Sequence, residues 1–249
     1  MNQTGRFSKL IAYAAVLGAA LLVSSAQAAV GKATVRAVRG TADYTAGTGS
    51  WAPLKVGVIL RPGAKVRTAA QSQVDLFLDQ NGPVVRVTED TELGLDKLNF
   101  ESTGAEDVVE TQLDLKSGRI LGAVKKMAAA SRYEVKTPQG VAGIRGTEYD
   151  ISANGTIRVV EGRLVFAYMT TQGAKTQIIN TGEVFTPTDG LKPIDPKLLV
   201  DLINEFIELI ATITPGGLIV IQPVEPFVSP TTGQPGGGGS TTSNTGGGR

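Results

Sequence analysis

The densest candidate for chemistry is the stretch 135–151, where glycines at 140, 143 and 146 surround Arg145, Thr147, Glu148 and Asp150. Glycines three apart suggest a phosphate cradle, because only glycine lets backbone N–H groups approach an anion so closely. The stretch nevertheless contains no G-x-G-x-x-G, no Gly-Lys-Ser/Thr and no long helix to receive a phosphate, so that chemistry is not expected. A structural role is expected instead: glycines that allow close strand packing, Arg145 bridging a carboxylate, and Thr147 satisfying backbone groups. Glu148 and Asp150 share a face if the segment is a strand. Two carboxylates on one face suit glycoside hydrolysis or calcium binding. Acidic pairs on exposed strands are far commoner than either site, and no second cluster of matched spacing appears. Asp75 with Asp79, and Glu89 with Asp90 and Glu92, are read the same way. Ser131 or Ser152 would need a lysine base such as Lys125 or Lys126, yet no Ser-x-x-Lys pattern occurs. Trp51 has the ring to stack on a sugar, but a partly buried plug near a strand start is the plainer reading.

Composition narrows the chemistry further. The 249 residues include neither cysteine nor histidine. Disulfides, thiolate nucleophiles, zinc–thiolate sites and iron–sulfur clusters are excluded. So are catalytic dyads and triads built on histidine. No enzyme activity and no cofactor are expected.

The elements that must position these residues begin after an export signal. Arg6 and Lys9 precede an apolar run at 10–23, and Ala26-Gln27-Ala28 offers small residues for cleavage after Ala28. Fourteen apolar residues are short for a permanent span, which needs about 20. The protein is therefore expected to be exported, to the periplasm or the exterior, with an uncleaved N-terminal anchor as the alternative to cleavage. Losing Arg6 and Lys9 leaves 22 Lys+Arg against 23 Asp+Glu, so the mature chain is close to neutral. That balance gives no electrostatic footprint for nucleic acid or anionic lipid, and no stable membrane insertion is expected after cleavage. Absence of cysteine also removes lipid acylation at the cleavage point.

From residue 29 to about 190 the pattern is that of strands, with short apolar runs or alternation broken by turn residues every 8 to 12 positions. Asn81-Gly82 and Asn154-Gly155 supply turn chemistry. Within this region one pattern recurs around Gly57, Gly118, Gly162 and Gly182. Each has an apolar residue three before the glycine and apolar residues two and three after it. Such a glycine permits a sharp turn from which a strand re-enters the core. A second echo pairs Val38-Arg39-Gly40-Thr41 with Ile144-Arg145-Gly146-Thr147. The spacings of 61, 44 and 20 residues exclude a strict repeat. They leave an all-β domain that is either an irregular β-solenoid or a rolled sheet.

Residues 191–228 form a capping or docking segment. Asp195 and Pro196 start an amphipathic helix that Pro215-Gly216-Gly217 stops. Its apolar face includes Leu199, Leu202, Ile203, Phe206 and Ile210. That face can close the open end of the β domain, dock an oligomer mate or partner, or lie on a membrane surface, the last disfavoured by an acidic polar face. Residues 218–222 could add a strand. The tail at 229–249 is Pro, Gly, Ser, Thr and Asn without core formers, and is expected to be disordered.

Two groups of residues carry a family resemblance. Ser50-Trp51-Ala52-Pro53-Leu54 before Gly57, then Pro62-Gly63-Ala64-Lys65-Val66-Arg67-Thr68 before Ser72, resembles the opening half of a FecR-type domain. Thr137-Pro138 through Gly143-Ile144-Arg145-Gly146-Thr147, then Val159-Val160-Glu161-Gly162, resembles its closing half. The resemblance covers about residues 33–186. Gly143, Arg145, Gly146, Thr147, Glu161 and Gly162 are its most specific positions, expected to be structural. It implies an extracytoplasmic, β-rich, solenoid-like domain. In the best-known members that domain belongs to a membrane-spanning sigma-factor regulator that senses occupancy of a siderophore transporter. The sequence shows no sigma-binding segment or internal transmembrane helix, so direct anti-sigma activity is not expected. The resulting expectation is a non-catalytic sensory or binding module that contacts an envelope protein or other envelope component. A structural, self-associating surface protein is the alternative.

Overall fold

The computed structural model describes residues 29–47, 49–102 and 107–213. The expected signal at 1–28, the strand at 218–222 and the tail at 229–249 lie outside these residues. Two sheets account for most of the described chain. In spatial order the first runs β17 (Gly173–Asn180), β16 (Arg163–Thr170), β13 (Gly140–Ile144), β12 (Arg132–Thr137) and β10 (Asp107–Ser117). It continues through β9 (Glu92–Ser102), β6 (Ala64–Thr68), β3 (Ala42–Ala46) and β4 (Ala52–Pro53), with β1 (Ala29–Val30) pairing onto β9. The second runs β19 (Gly190–Pro193), β18 (Glu183–Thr186), β15 (Ile157–Glu161), β14 (Thr147–Ser152) and β11 (Arg119–Val124). It ends with β8 (Val84–Val87), β7 (Gln73–Phe77), β2 (Ala33–Arg39) and β5 (Ile59–Leu60).

Strand number rises almost steadily along both sheets, because the chain lays one or two strands in one sheet and then crosses to the other. Among the described pairs only β10 with β12 is parallel. A regular solenoid would stack parallel coils, so the all-β expectation resolves to its rolled-sheet form. The crossings explain the sequence echoes. Gly57, Gly118, Gly162 and Gly182 each stand where the chain passes between sheets, with φ of 86°, 77°, 91° and 76°. Gly40 and Gly146 of the second echo do likewise, at 74° and 67°. Side chains other than glycine strain in this left-handed region.

The inner faces of the two sheets enclose one apolar core, in which Val66, Leu76, Leu95, Leu113, Tyr149 and Phe166 are fully buried. Burial alternates along β6 and β10, as expected of strands with one wet face. All of β8 and five of the six residues of β11 are buried on both sides. The cause is a third layer, the helix α1 (Pro196–Ala211), lying on the outer face of the second sheet. Asp195 caps α1, its carboxylate accepting from the backbone N–H groups of Lys197 and Leu198. Leu202, Phe206 and Leu209 pack against Val84, Leu121 and Ala123. The β region itself runs to Pro193, slightly beyond the boundary expected near 190.

Charges fasten this third layer. Asp75 and Arg86 face each other across β7 and β8, both almost wholly buried, with Arg86 donating through Nε at 2.7 Å and Nη2 at 3.0 Å. Arg86 also donates to the carbonyl of Glu205 at 3.4 Å and lies 3.7 Å from Glu208. Farther along the sheet, buried Asp150 accepts from Arg119 at 2.8 Å and Arg158 at 2.9 Å. Arg119 reaches on to Glu205 at 3.0 Å. Burial opposes the charge on Arg86 and Arg119, but Asp75 with Glu208 and Glu205, and Asp150 with Glu205, respectively outweigh it together, so both guanidinium pKa values rise.

Candidate functional site

Three neighbouring crossings, those at Gly146, Gly162 and Gly182, stack beside the C-terminal end of α1. Close backbone packing makes this possible, since a Cβ on Gly162 would collide with the carbonyl oxygen of Gly146 and the Cα of Thr147. Thr147 donates its hydroxyl to the Arg163 carbonyl at 2.7 Å, tying the first crossing to the second. Gly162 N–H donates to the Thr181 hydroxyl at 3.0 Å, tying the second to the third. A cleft of about 790 Å³ opens over these corners. Val84, Ala123 and Val124 supply an apolar floor from the ends of β8 and β11, and Ile210 and Ile213 supply a wall.

The six family positions now have places. Arg145, Gly146, Thr147, Glu161 and Gly162 line the cleft. Gly143 lies within β13, paired with Val165 on one side and Glu134 on the other, and does not line it. Thr147 bonds a backbone carbonyl, as anticipated. Arg145 differs from the expectation that it bridges a carboxylate: it is exposed and reaches only the Met127 carbonyl, at 3.5 Å. Of the helix positions, Leu202 and Phe206 are buried against the protein's own sheet, while Leu199 and Ile203 are half-buried and Ile210 joins the cleft wall.

Glu148 and Asp150 share the outer face of β14, as their spacing implies, but they differ in burial and partners. Asp150 is fully buried between Arg119 and Arg158, which leaves its oxygens no open side for a substrate or calcium ion. Glu148 instead pairs across β14 and β15 with Glu161. Burial, then the neighbouring Glu161 charge, raises its pKa above the ordinary carboxylate value. Trp51 is half-buried with the Arg67 guanidinium 4.3 Å above its ring, so that ring face is covered. Ser131 accepts the backbone N–H of Val109 at 3.1 Å and serves the strand.

Lys125 and Lys126 are the site residues whose role the sequence hid. They follow the apolar run of β11 directly and project at the cleft rim with Arg145 and Arg163. None of these four cations forms an ion pair among the described residues. No described helix is long and apolar enough to cross a membrane.

Fold and cleft together define an all-β module of two rolled sheets with one docked helix and a recognition-sized opening at its corners. The family model that matches it is FecR protein, over residues 64–165, within the stretch whose residues carry the resemblance. The match runs from the start of β6 into β16 and spans all six family positions. Two crystal structures of a candidate anti-sigma factor from Parabacteroides distasonis ATCC 8503 are similar at 14% identity and a TM-score of 0.41. Each alignment covers 56% of this chain and 64% or 63% of the other, so the chain spans less than two thirds of those structures. No curated protein matches the chain.

Proposed function

We propose that this protein is an exported, non-catalytic FecR-like sensory or binding module that contacts an envelope protein or another envelope component as part of signalling. The observation that carries the reading is the convergence of five of the six family positions on one cleft, built by stacked corners and rimmed with unpaired cations. Recognition suits this arrangement: the corners are tied to one another by hydrogen bonds, the floor is apolar, and Asp150, on the same strand face as Glu148, is committed to arginines. Export rests on the segment 1–28. The test is capture from envelope extract with immobilised 29–249, washed over a range of salt. A specific envelope protein retained by the wild type supports the proposal, and recovery of none counts against it.

One feature favours self-association as a second reading. β4 and β5 are two residues long, β4 and β19 contain Pro53 and Pro193, and such edges resist pairing. β17 is an eight-residue edge without proline, beside exposed Val165, Met169 and Ile178. Light scattering decides: a concentration-dependent dimer abolished by Thr176→Pro supports it, and a monomer at all concentrations removes it.

A further inference from the structure

We infer that the cleft over the Gly146, Gly162 and Gly182 corners is a recognition site for an acidic protein segment that also carries apolar side chains. This inference rests on the proposed binding role and supplies the chemistry of the partner. Its first support is charge. The lining holds Lys125, Lys126, Arg145 and Arg163 against Glu148 and Glu161, an excess of two positive charges. On the neighbouring helix-covered face Arg86, Arg119 and Arg158 all have carboxylate partners, whereas the cleft gathers four cations that have none among the described residues. Cations at a rim favour approach of a negative partner and fix its register.

The second support is the floor. Half-buried Ile213 stands over the buried floor of Val84, Ala123 and Val124, and a polyanion with no apolar groups would leave that apolar wall wet. A segment alternating acidic and apolar side chains satisfies both surfaces at once, with apolar groups inward and carboxylates at the rim. The chain's own continuation meets only half of that requirement. Residues 214–228 include apolar Leu218, Ile219, Val220 and Ile221, but Glu225 is their single acidic residue. An external acidic segment therefore matches the cleft better than the protein's own C-terminal residues do.

The test is fluorescence anisotropy of purified 29–249 with a fluorescein-labelled peptide alternating leucine and glutamate. Matched peptides carry glutamine for glutamate, or serine for leucine. The acidic apolar peptide is expected to bind at least about tenfold more tightly than either control, and to weaken as salt rises. The exposed double substitution Lys126→Glu with Arg145→Glu is expected to weaken it at least about tenfold, whereas Lys55→Glu with Lys65→Glu should leave it unchanged. Equal binding of the glutamate and glutamine peptides would overturn the inference. So would binding that appears only when Leu218, Ile219 and Ile221 are replaced by serine, because the cleft would then belong to the chain's own segment. Should the peptide fail while envelope capture succeeds, the cleft assignment falls and the binding role stands.

Discussion

The ion pair beneath α1 gives the sharpest stability prediction, because Asp75 and Arg86 are 1% and 3% exposed and meet through two hydrogen bonds. Removing one partner of a buried pair leaves a desolvated charge and costs about 3–5 kcal/mol. The two single substitutions should differ within that range. Asp75→Leu leaves Arg86 with Glu208 at 3.7 Å and the Glu205 carbonyl at 3.4 Å, so its loss should fall near about 3 kcal/mol. Arg86→Met leaves Asp75 with no other described partner and releases two contacts to α1, so its loss should be near about 5 kcal/mol. The double substitution buries neither charge. Replacing both members by apolar groups is often neutral, so it should lie within about 2 kcal/mol of the wild type after the lost helix contacts. The assay is urea unfolding of each variant, followed by circular dichroism and by the single tryptophan, Trp51. Additive losses, or a single-variant loss below about 1 kcal/mol, would refute the claim that this pair is a mutually dependent buried unit.

Three further outcomes follow from the packing. Gly162→Ala should cost at least about 2 kcal/mol, because strain at positive φ is joined by collision with backbone; Gly57→Ala, with open space around it, should cost only about 1–2 kcal/mol, and paired urea midpoints check the difference. Glu148 has a folded pKa raised above its unfolded value, so the folded state holds its proton longer and stability falls as pH rises through that interval. Glu148→Gln should therefore stabilise the protein at neutral pH and lose that advantage below the ordinary carboxylate pKa, as read from urea midpoints across pH. Phe206→Ala should weaken helix docking by about 3–5 kcal/mol, and hydrogen exchange should show protection lost in α1 while the sheet core keeps its own.

The contrast between Gly162 and Gly57 also marks how far sequence reasoning reached. Their shared pattern identified corners, because positive φ is a local demand that falls on one residue. It could not say that one corner is stacked against another while the other stands free, since that depends on which strands become neighbours. The helix was legible from Asp195, Pro196 and its apolar spacing, whereas the strands it covers, β8 and β11, emerge only from the fold. Alternation did put Asp150 on the same face as Glu148, but it could not show that Arg119 and Arg158 reach Asp150 from β11 and β15. Lys125 and Lys126 were read only as candidate bases near Ser131. Their significance lies in clustering with Arg145 and Arg163, a property that emerges only after the crossings bring them over an apolar floor.

The central claim, that the family residues build a partner-binding cleft, is tested most directly by photo-crosslinking in cells. A photoreactive amino acid would replace Lys126 or Arg163 at the cleft, Lys55 near the opposite edge, or Ile178 on β17. The account expects one envelope protein to be captured from the two cleft positions and not from Lys55 or Ile178. Capture only of a second copy through Ile178, or equal capture from Lys55, would contradict it.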